Sequence, residues 1–138
     1  MTSDFQILPL PTQAYAHLLT LTEEELAQYQ AVRQTVTAKP GFPCRNTLRD
    51  ADIGEEVILF PYSHHSADGP YRSSGPVYIL PFAPASAPKK NEVPLMLTLR
   101  DQSLRAYDAS GMMINAKVVK GAETETVLGQ LFRQPEVV

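Results

Sequence analysis

Residues 103–119, SLRAYDASGMMINAKVV, decide the fold class that the sequence predicts. The stretch holds two runs, Ser103 to Asp108 and Met112 to Val119, joined by Ala109-Ser110-Gly111. Two short runs separated by three residues that include glycine are typical of a β-hairpin. Alternate residues of the second run share one face, and we assign that face to the core: Met112, Ile114, Ala116 and Val118.

Upstream of this hairpin the sequence predicts further strands. Ala31 to Thr37 alternates and is rich in β-branched residues, which favours a strand. Glu55 to Tyr62 contains the apolar run Val57-Ile58-Leu59-Phe60, typical of a buried strand. Pro76 to Leu80 predicts another strand, which Pro81 ends.

Two helices are predicted, one towards each end of the chain. Thr22 and Glu25 have the spacing of a capping box, which predicts a helix from about Glu23 to Gln30. Apolar residues at helical spacing predict a second helix from about Ala122 to Phe132. We therefore expect residues 1–138 to form a single α+β domain, a twisted, mainly antiparallel sheet with two principal helices packed on it.

The net charge and the length of the apolar stretches indicate which classes of partner to expect. The formal net charge is -3, so the chain has no basic surplus to neutralise phosphates, and we expect no nucleic acid partner. No apolar stretch approaches the roughly 20 residues that a membrane span requires, so no membrane partner is expected. The first 15 residues do not resemble a signal peptide, and Cys44 is the single cysteine, which together predict a cytoplasmic protein.

Reactive side chains concentrate in two loops, Gly41 to Arg45 and Tyr62 to Gly75. Arginine guanidinium groups and serine hydroxyls suit a polar or anionic ligand, and tyrosine rings can wall a pocket. Our leading hypothesis is a module that binds a small polar or anionic ligand in a pocket shared by the two loops. Its predicted ligand-binding residues are Cys44, Arg45, His64, Tyr71, Arg72 and Ser74.

Other interpretations stay open, and the sequence does not decide whether the chain is an enzyme. Cys44 could be a nucleophile if His64 or His65 lay within hydrogen-bond reach, although a lone cysteine is usually an inert small side chain. His64, His65 and Asp68 include metal-ligand types, but neighbouring residues on an extended chain point to opposite sides, so we predict no metal site. No cofactor is predicted. A protein–protein interaction module is the third reading, and the oligomeric state is left open.

Several segments resemble one family of bacterial proteins. They are Pro43-Cys44-Arg45, the pair Tyr62-x-His64 with the stretch from Pro70-Tyr71-Arg72 to Ser74-Gly75-Pro76, and Arg105-Ala106-Tyr107-Asp108 through Gly111-Met112. On these residues the chain resembles the domain of unknown function 1203 family over essentially its whole length. The resemblance implies a small cytoplasmic α+β unit and no particular activity. It also implies a further strand after the final helix, whereas this sequence stops at Val138, so a missing C-terminal strand is one interpretation.

Overall fold

A computed structural model of the chain describes residues 4–65, 73–87 and 89–138, without the side chains of residues 64, 65 and 73. The described part divides into two compact units. We call residues 8–62 and 74–87 the sheet unit, and residues 4–7, 63–65, 73 and 89–138 the hairpin unit. The α+β class is confirmed. Domain organisation is not tested by this division, and the single-domain prediction stays a prediction.

Five strands form one sheet in the order β1-β4-β5-β2-β3. Their bounds are β1 Val32–Thr35, β2 Pro43–Cys44, β3 Arg49–Asp50, β4 Glu56–His65 and β5 Ser73–Ile79. The pairs β1-β4 and β2-β3 are antiparallel, and β2 runs parallel to β5 with Cys44 opposite Tyr78.

The predicted apolar strand, β4, lies inside this sheet, between β1 and β5. Val57 and Ile58 are both fully buried, because successive side chains of a strand point to opposite faces and each face has its own core. The first core is covered by helix α1, Glu23–Gln28, and by 3₁₀ turns at Thr12–Ala14 and Ala16–Leu18; its buried members are Leu10, Tyr15, Leu18, Leu26, Ala31, Ile58, Phe60 and Ile79. The second contains Val36, Cys44, Ala51, Val57 and Leu80.

Helix α1 begins as predicted. The Thr22 hydroxyl accepts from the Glu25 amide at 3.2 Å, and Glu25 Oε1 accepts from the Thr22 amide at 3.0 Å. The helix has only six residues, however, and in the described part of the chain only α3, Thr124–Leu131, is longer. The expectation of two principal helices is therefore not confirmed.

In the hairpin unit β6, Gln102–Tyr107, pairs antiparallel with β7, Met113–Val119, as the sequence predicts. These two strands form a sheet of their own, so the described strands make two sheets and not one. Asp108 Oδ1 accepts from the amides of Ser110 and Met112, which fixes the turn. Helix α2, Leu95–Thr98, and a 3₁₀ turn at Gly121–Glu123 complete the unit.

The predicted core face of this hairpin is wrong. Cross-strand partners share a face, and the buried residue Ala106 is opposite Asn115, whereas Ala116 is opposite Arg105. The inward face therefore carries Asn115, and the residues that we assigned to the core are all exposed: Met112, Ile114, Ala116 and Val118.

In the described part of the chain, every helix falls short of the length and hydrophobicity that a membrane-spanning segment needs.

Candidate functional site

Cys44 belongs to the core and does not face solvent. Its side chain is fully buried, and Sγ lies 3.5 Å from the carbonyl oxygen of Phe42, to which it donates. Burial raises the pKa of the Cys44 thiol from 9.0 to about 12. A neutral, buried thiol is a poor nucleophile, so the position of Cys44 gives no support to a Cys/His enzyme.

Arg45 and Ser74 are exposed, and the register of the sheet keeps their backbones apart. Cys44 is opposite Tyr78, and the Arg45 amide donates to the Tyr78 carbonyl oxygen at 2.9 Å. Ser74 lies four residues before Tyr78 on β5, which corresponds to about 13 Å along a strand. These two predicted residues therefore lie towards different ends of β5.

The other three predicted ligand-binding residues have side chains outside the described part of the structure. His64 lies in β4, but its side chain is outside the described part of the structure. Tyr71 and Arg72 lie outside the described residues. Convergence of the six residues on one pocket stays a prediction.

Asn46 is a fully buried polar residue that our sequence analysis missed. Its Nδ2 donates to the Leu80 carbonyl oxygen at 2.9 Å, and its Oδ1 accepts from the Leu80 amide at 2.9 Å. Its backbone oxygen accepts from the Ser86 amide at 2.9 Å. Asn46 thereby holds both ends of the segment 80–86. The chain offers one signal for this role, an asparagine two residues after the β2 segment Pro43–Cys44.

The segment that Asn46 holds begins with a tight turn. The Ala83 amide donates to the Leu80 carbonyl oxygen at 3.4 Å, and Phe82 has a φ of 62°. Proline at the second position with positive φ at the third defines a type II turn, in which glycine or asparagine is the favoured third residue. Phe82 occupies that position with 77% of its surface exposed.

This turn forms one wall of a cleft of about 560 Å³ in the sheet unit. The other lining residues are charged and come from β1, β3 and the start of β4. The cleft is lined by Arg33, Arg49, Glu55, Glu56, Leu80, Pro81, Phe82 and Ala83. It thus combines one exposed aromatic ring with two guanidinium groups and two carboxylates.

Ion pairs fix the charged side of the cleft. Arg49 donates to both carboxylate oxygens of Glu55, at 3.1 and 3.4 Å, and these bonds lower the pKa of Glu55. Arg33 pairs with Glu23 of α1 at 2.5 Å. Beside the cleft, Lys39 pairs with Asp52 and lowers the pKa of that carboxyl. The carboxylates of Glu55 and Asp52 are therefore charged at neutral pH.

Among the described residues, no group of three or more His, Cys, Asp or Glu side chains is arranged to hold a metal ion.

Comparison with known proteins gives a family and no activity. The family model described as a protein of unknown function (DUF1203) matches residues 41–138. No curated protein and no solved structure matches the chain. The matched range contains the Phe82 turn, its Asn46 anchor and the Arg49–Glu55 pair.

Proposed function

Because the chain belongs to the DUF1203 family, whose description names no activity, we propose its function from geometry: it binds a small polar ligand in the cleft beside Phe82. Binding of a small ligand is the class of function that the sequence predicts. The proposed binding surface, however, is a cleft lined entirely by described residues, and not the predicted pocket between the two loops.

The conformation and exposure of Phe82 carry this proposal. A non-glycine residue in the left-handed region costs roughly 1–2 kcal/mol. A side chain that is 77% exposed recovers little of that cost by burial. Stability therefore does not account for phenylalanine at this turn position, and residues held in such conformations are concentrated at ligand sites.

The lining residues indicate the chemistry of the ligand. The Phe82 ring offers a flat apolar surface, and the Arg49–Glu55 pair offers donors and acceptors that are partly exposed. Two arginines and two glutamates give the lining no net charge, so a neutral polar molecule suits it better than a multiply charged anion. We propose a small polar ligand with a flat, unsaturated face.

The test compares two variants in binding to a set of small planar probes, adenine, cytosine and nicotinamide, by ligand-observed NMR. Phe82→Gly removes the ring and suits a type II turn, so it is expected to weaken probe binding by about tenfold, which corresponds to one aromatic contact, without lowering the melting temperature. Ile53→Ala changes an exposed apolar residue of the same unit that does not line the cleft, and it should leave binding unchanged. Equal binding by Phe82→Gly and the wild type, or no binding of any probe, would refute the proposal.

A second candidate function is protein–protein interaction. It is supported by the exposed apolar face of β7, on which Val118 is 80% exposed and Ile114 is also exposed; Met112, the residue before this strand, is exposed as well. We propose a second copy of this chain as the partner. Light scattering should then give twice the monomer mass, and Val118→Lys should restore the monomer. A wild-type protein that is strictly monomeric counts against this candidate.

A cytoplasmic location remains part of the proposal. A single cysteine that is free and buried forms no internal disulfide, which is usual in reducing compartments.

A further inference from the structure

The hairpin unit contains a separate cleft of about 280 Å³, between the N-terminal segment and one side of α3. Its most buried lining residues are Phe5, which is 8% exposed, and Gly129. Glu125, Gln130, Arg133 and Asn91 surround them and are exposed. Nothing in the proposed function uses this cleft.

Hydrogen bonds hold the wall of the cleft opposite α3. The Phe5 amide donates to Asn91 Oδ1 at 3.0 Å, and the Asn91 amide donates to the Phe5 carbonyl oxygen at 2.8 Å. Asn91 Nδ2 also donates to Asp4 at 3.0 Å. Asn91 has a φ of 58°, a conformation that asparagine adopts more readily than most residues. The wall is thus fixed although it lies near the chain terminus.

Opposite charges lie at the two ends of the other wall. Glu125 is in the first turn of α3 and Arg133 follows its last turn, eight residues or about 12 Å further on. Gly129 lies midway between them along α3 and has no side chain to occupy the cleft at that position, and Gln130 lines the cleft beside it. Neither Glu125 nor Arg133 forms an ion pair with another described residue. Each sign suits the helix dipole, but the dipole does not explain why both residues line one cleft.

We propose that this cleft binds a small zwitterion, a molecule of amino-acid or dipeptide size with an amine and a carboxylate at opposite ends. The Arg133 guanidinium pairs with the carboxylate, since its donors match two carboxylate oxygens. The Glu125 carboxylate pairs with the ammonium group. Gln130 lies between them along α3 and hydrogen-bonds polar groups in the middle of the ligand, and Phe5 contacts its apolar atoms.

The experiment titrates the full chain with four probes of increasing charge separation, glycine, β-alanine, γ-aminobutyrate and glycylglycine, followed by chemical shifts of the backbone amides of α3. At least one probe should bind and shift the amides of Gly129 and Gln130. Acetylating the amine of that probe or amidating its carboxylate should each weaken binding at least tenfold. Glu125→Gln and Arg133→Gln should each produce a loss of the same size.

Glu123→Gln is the matched control, because Glu123 is an exposed acid two residues from Glu125 that does not line the cleft. It should bind the best probe as the wild type does. The proposal is overturned if no probe shifts these amides, or if Glu125→Gln and Arg133→Gln both bind like the control. Because Phe82 is not involved, Phe82→Gly should leave this binding intact, so the two sites can fail separately.

Discussion

Cys44 shows how the surroundings of one residue decide its chemistry. It follows Pro43 and precedes the exposed Arg45, yet its own side chain is fully buried in the second core of the sheet unit. Burial favours the neutral thiol because a thiolate would lose its hydration. The same residue type that suggested a nucleophile is therefore part of the packing.

The raised pKa of Cys44 predicts a loss of stability in alkali. The unfolded chain releases this proton near pH 9.0, and the folded chain releases it only near 12. The contribution of this thiol to the free energy of unfolding is complete below pH 9 and decreases as the pH rises towards 12. At one unit above the unfolded pKa, the free energy of unfolding has fallen by about 1.4 kcal/mol. Urea unfolding between pH 7 and 10 measures it.

The control for this prediction is Cys44→Ala, which has no thiol to ionise. It should be less stable than the wild type at pH 7 but should lose less stability between pH 7 and 10. A thiol reagent should label the native wild type slowly and the urea-unfolded chain rapidly. Parallel alkaline profiles for the two proteins, or rapid labelling of the native wild type, would show that the thiol is not buried.

At this scale the sequence identified reactive residue types but not their burial. The exposure of Arg45 and the burial of Cys44 depend on β2 lying beside β5, a pairing between segments more than 30 residues apart. Asn46 was missed for the same reason, because its partner Leu80 is 34 residues away. Phe82 follows a proline, so a turn was predictable there, but its exposure was not.

Among the structural elements, those with local signals were predicted well. The capping box fixed the start of α1, and the turn between β6 and β7 is held by Asp108 and Gly111, the latter with a φ of 85°. The alternation of residue types along β7 identified it as a strand but did not indicate which of its two faces is buried. The more apolar face of β7 is exposed, because Ala106 and Leu104 of β6 set the inward face and lie opposite Asn115 and Lys117.

Gly121 joins β7 to α3 and permits a close approach that no other residue allows. A β-carbon at this position would lie 2.3 Å from the Thr98 carbonyl oxygen and 2.6 Å from that of Arg100. Both are backbone atoms at the end of α2, so the helix or the turn must move. We expect Gly121→Ala to lower the free energy of unfolding by about 3 kcal/mol, near the upper end for overpacking. Urea unfolding followed by circular dichroism measures the change.

Gly41→Ala provides the comparison for Gly121→Ala. Gly41 is exposed, and the nearest atom to its added β-carbon, the Ala38 carbonyl oxygen, would be 3.4 Å away. Its free energy of unfolding should stay within about 0.5 kcal/mol of the wild type. If both variants unfold at the same urea concentration, the contact between Gly121 and the end of α2 is not as close as the structure has it.

For the whole molecule, the sequence predicted the α+β class but not how the strands are arranged. Local patterns could not indicate that β6 and β7 form a separate sheet, or that β2 pairs in parallel with β5. Both features depend on whether strands that are distant in sequence pair with one another, and such pairing leaves no periodic signal in the chain. Because the described part forms two compact units, the single-domain prediction holds only if the two units unfold together as one cooperative transition.

If the chain is one cooperative domain, damage to one unit destabilises both. Asn46→Ala leaves the buried amide and carbonyl of Leu80 without their side-chain partner, which should cost roughly 2 kcal/mol or more. We predict that the free energies of exchange of the slowest backbone amides then decrease equally in residues 56–62 of β4, which belong to the sheet unit, and in β6 and β7. Native-state hydrogen exchange measures both sets in one sample.

The reciprocal variant tests the same coupling from the other unit. Gly121→Ala perturbs the hairpin unit, and in a single domain it should lower the protection of the β4 amides as much as that of the β7 amides. The two halves would instead be independent folding units if Asn46→Ala left β6 and β7 fully protected and Gly121→Ala left β4 unchanged. Equal losses require that the global unfolding reaction exposes all three strands, because a local opening would lower protection only beside the substitution.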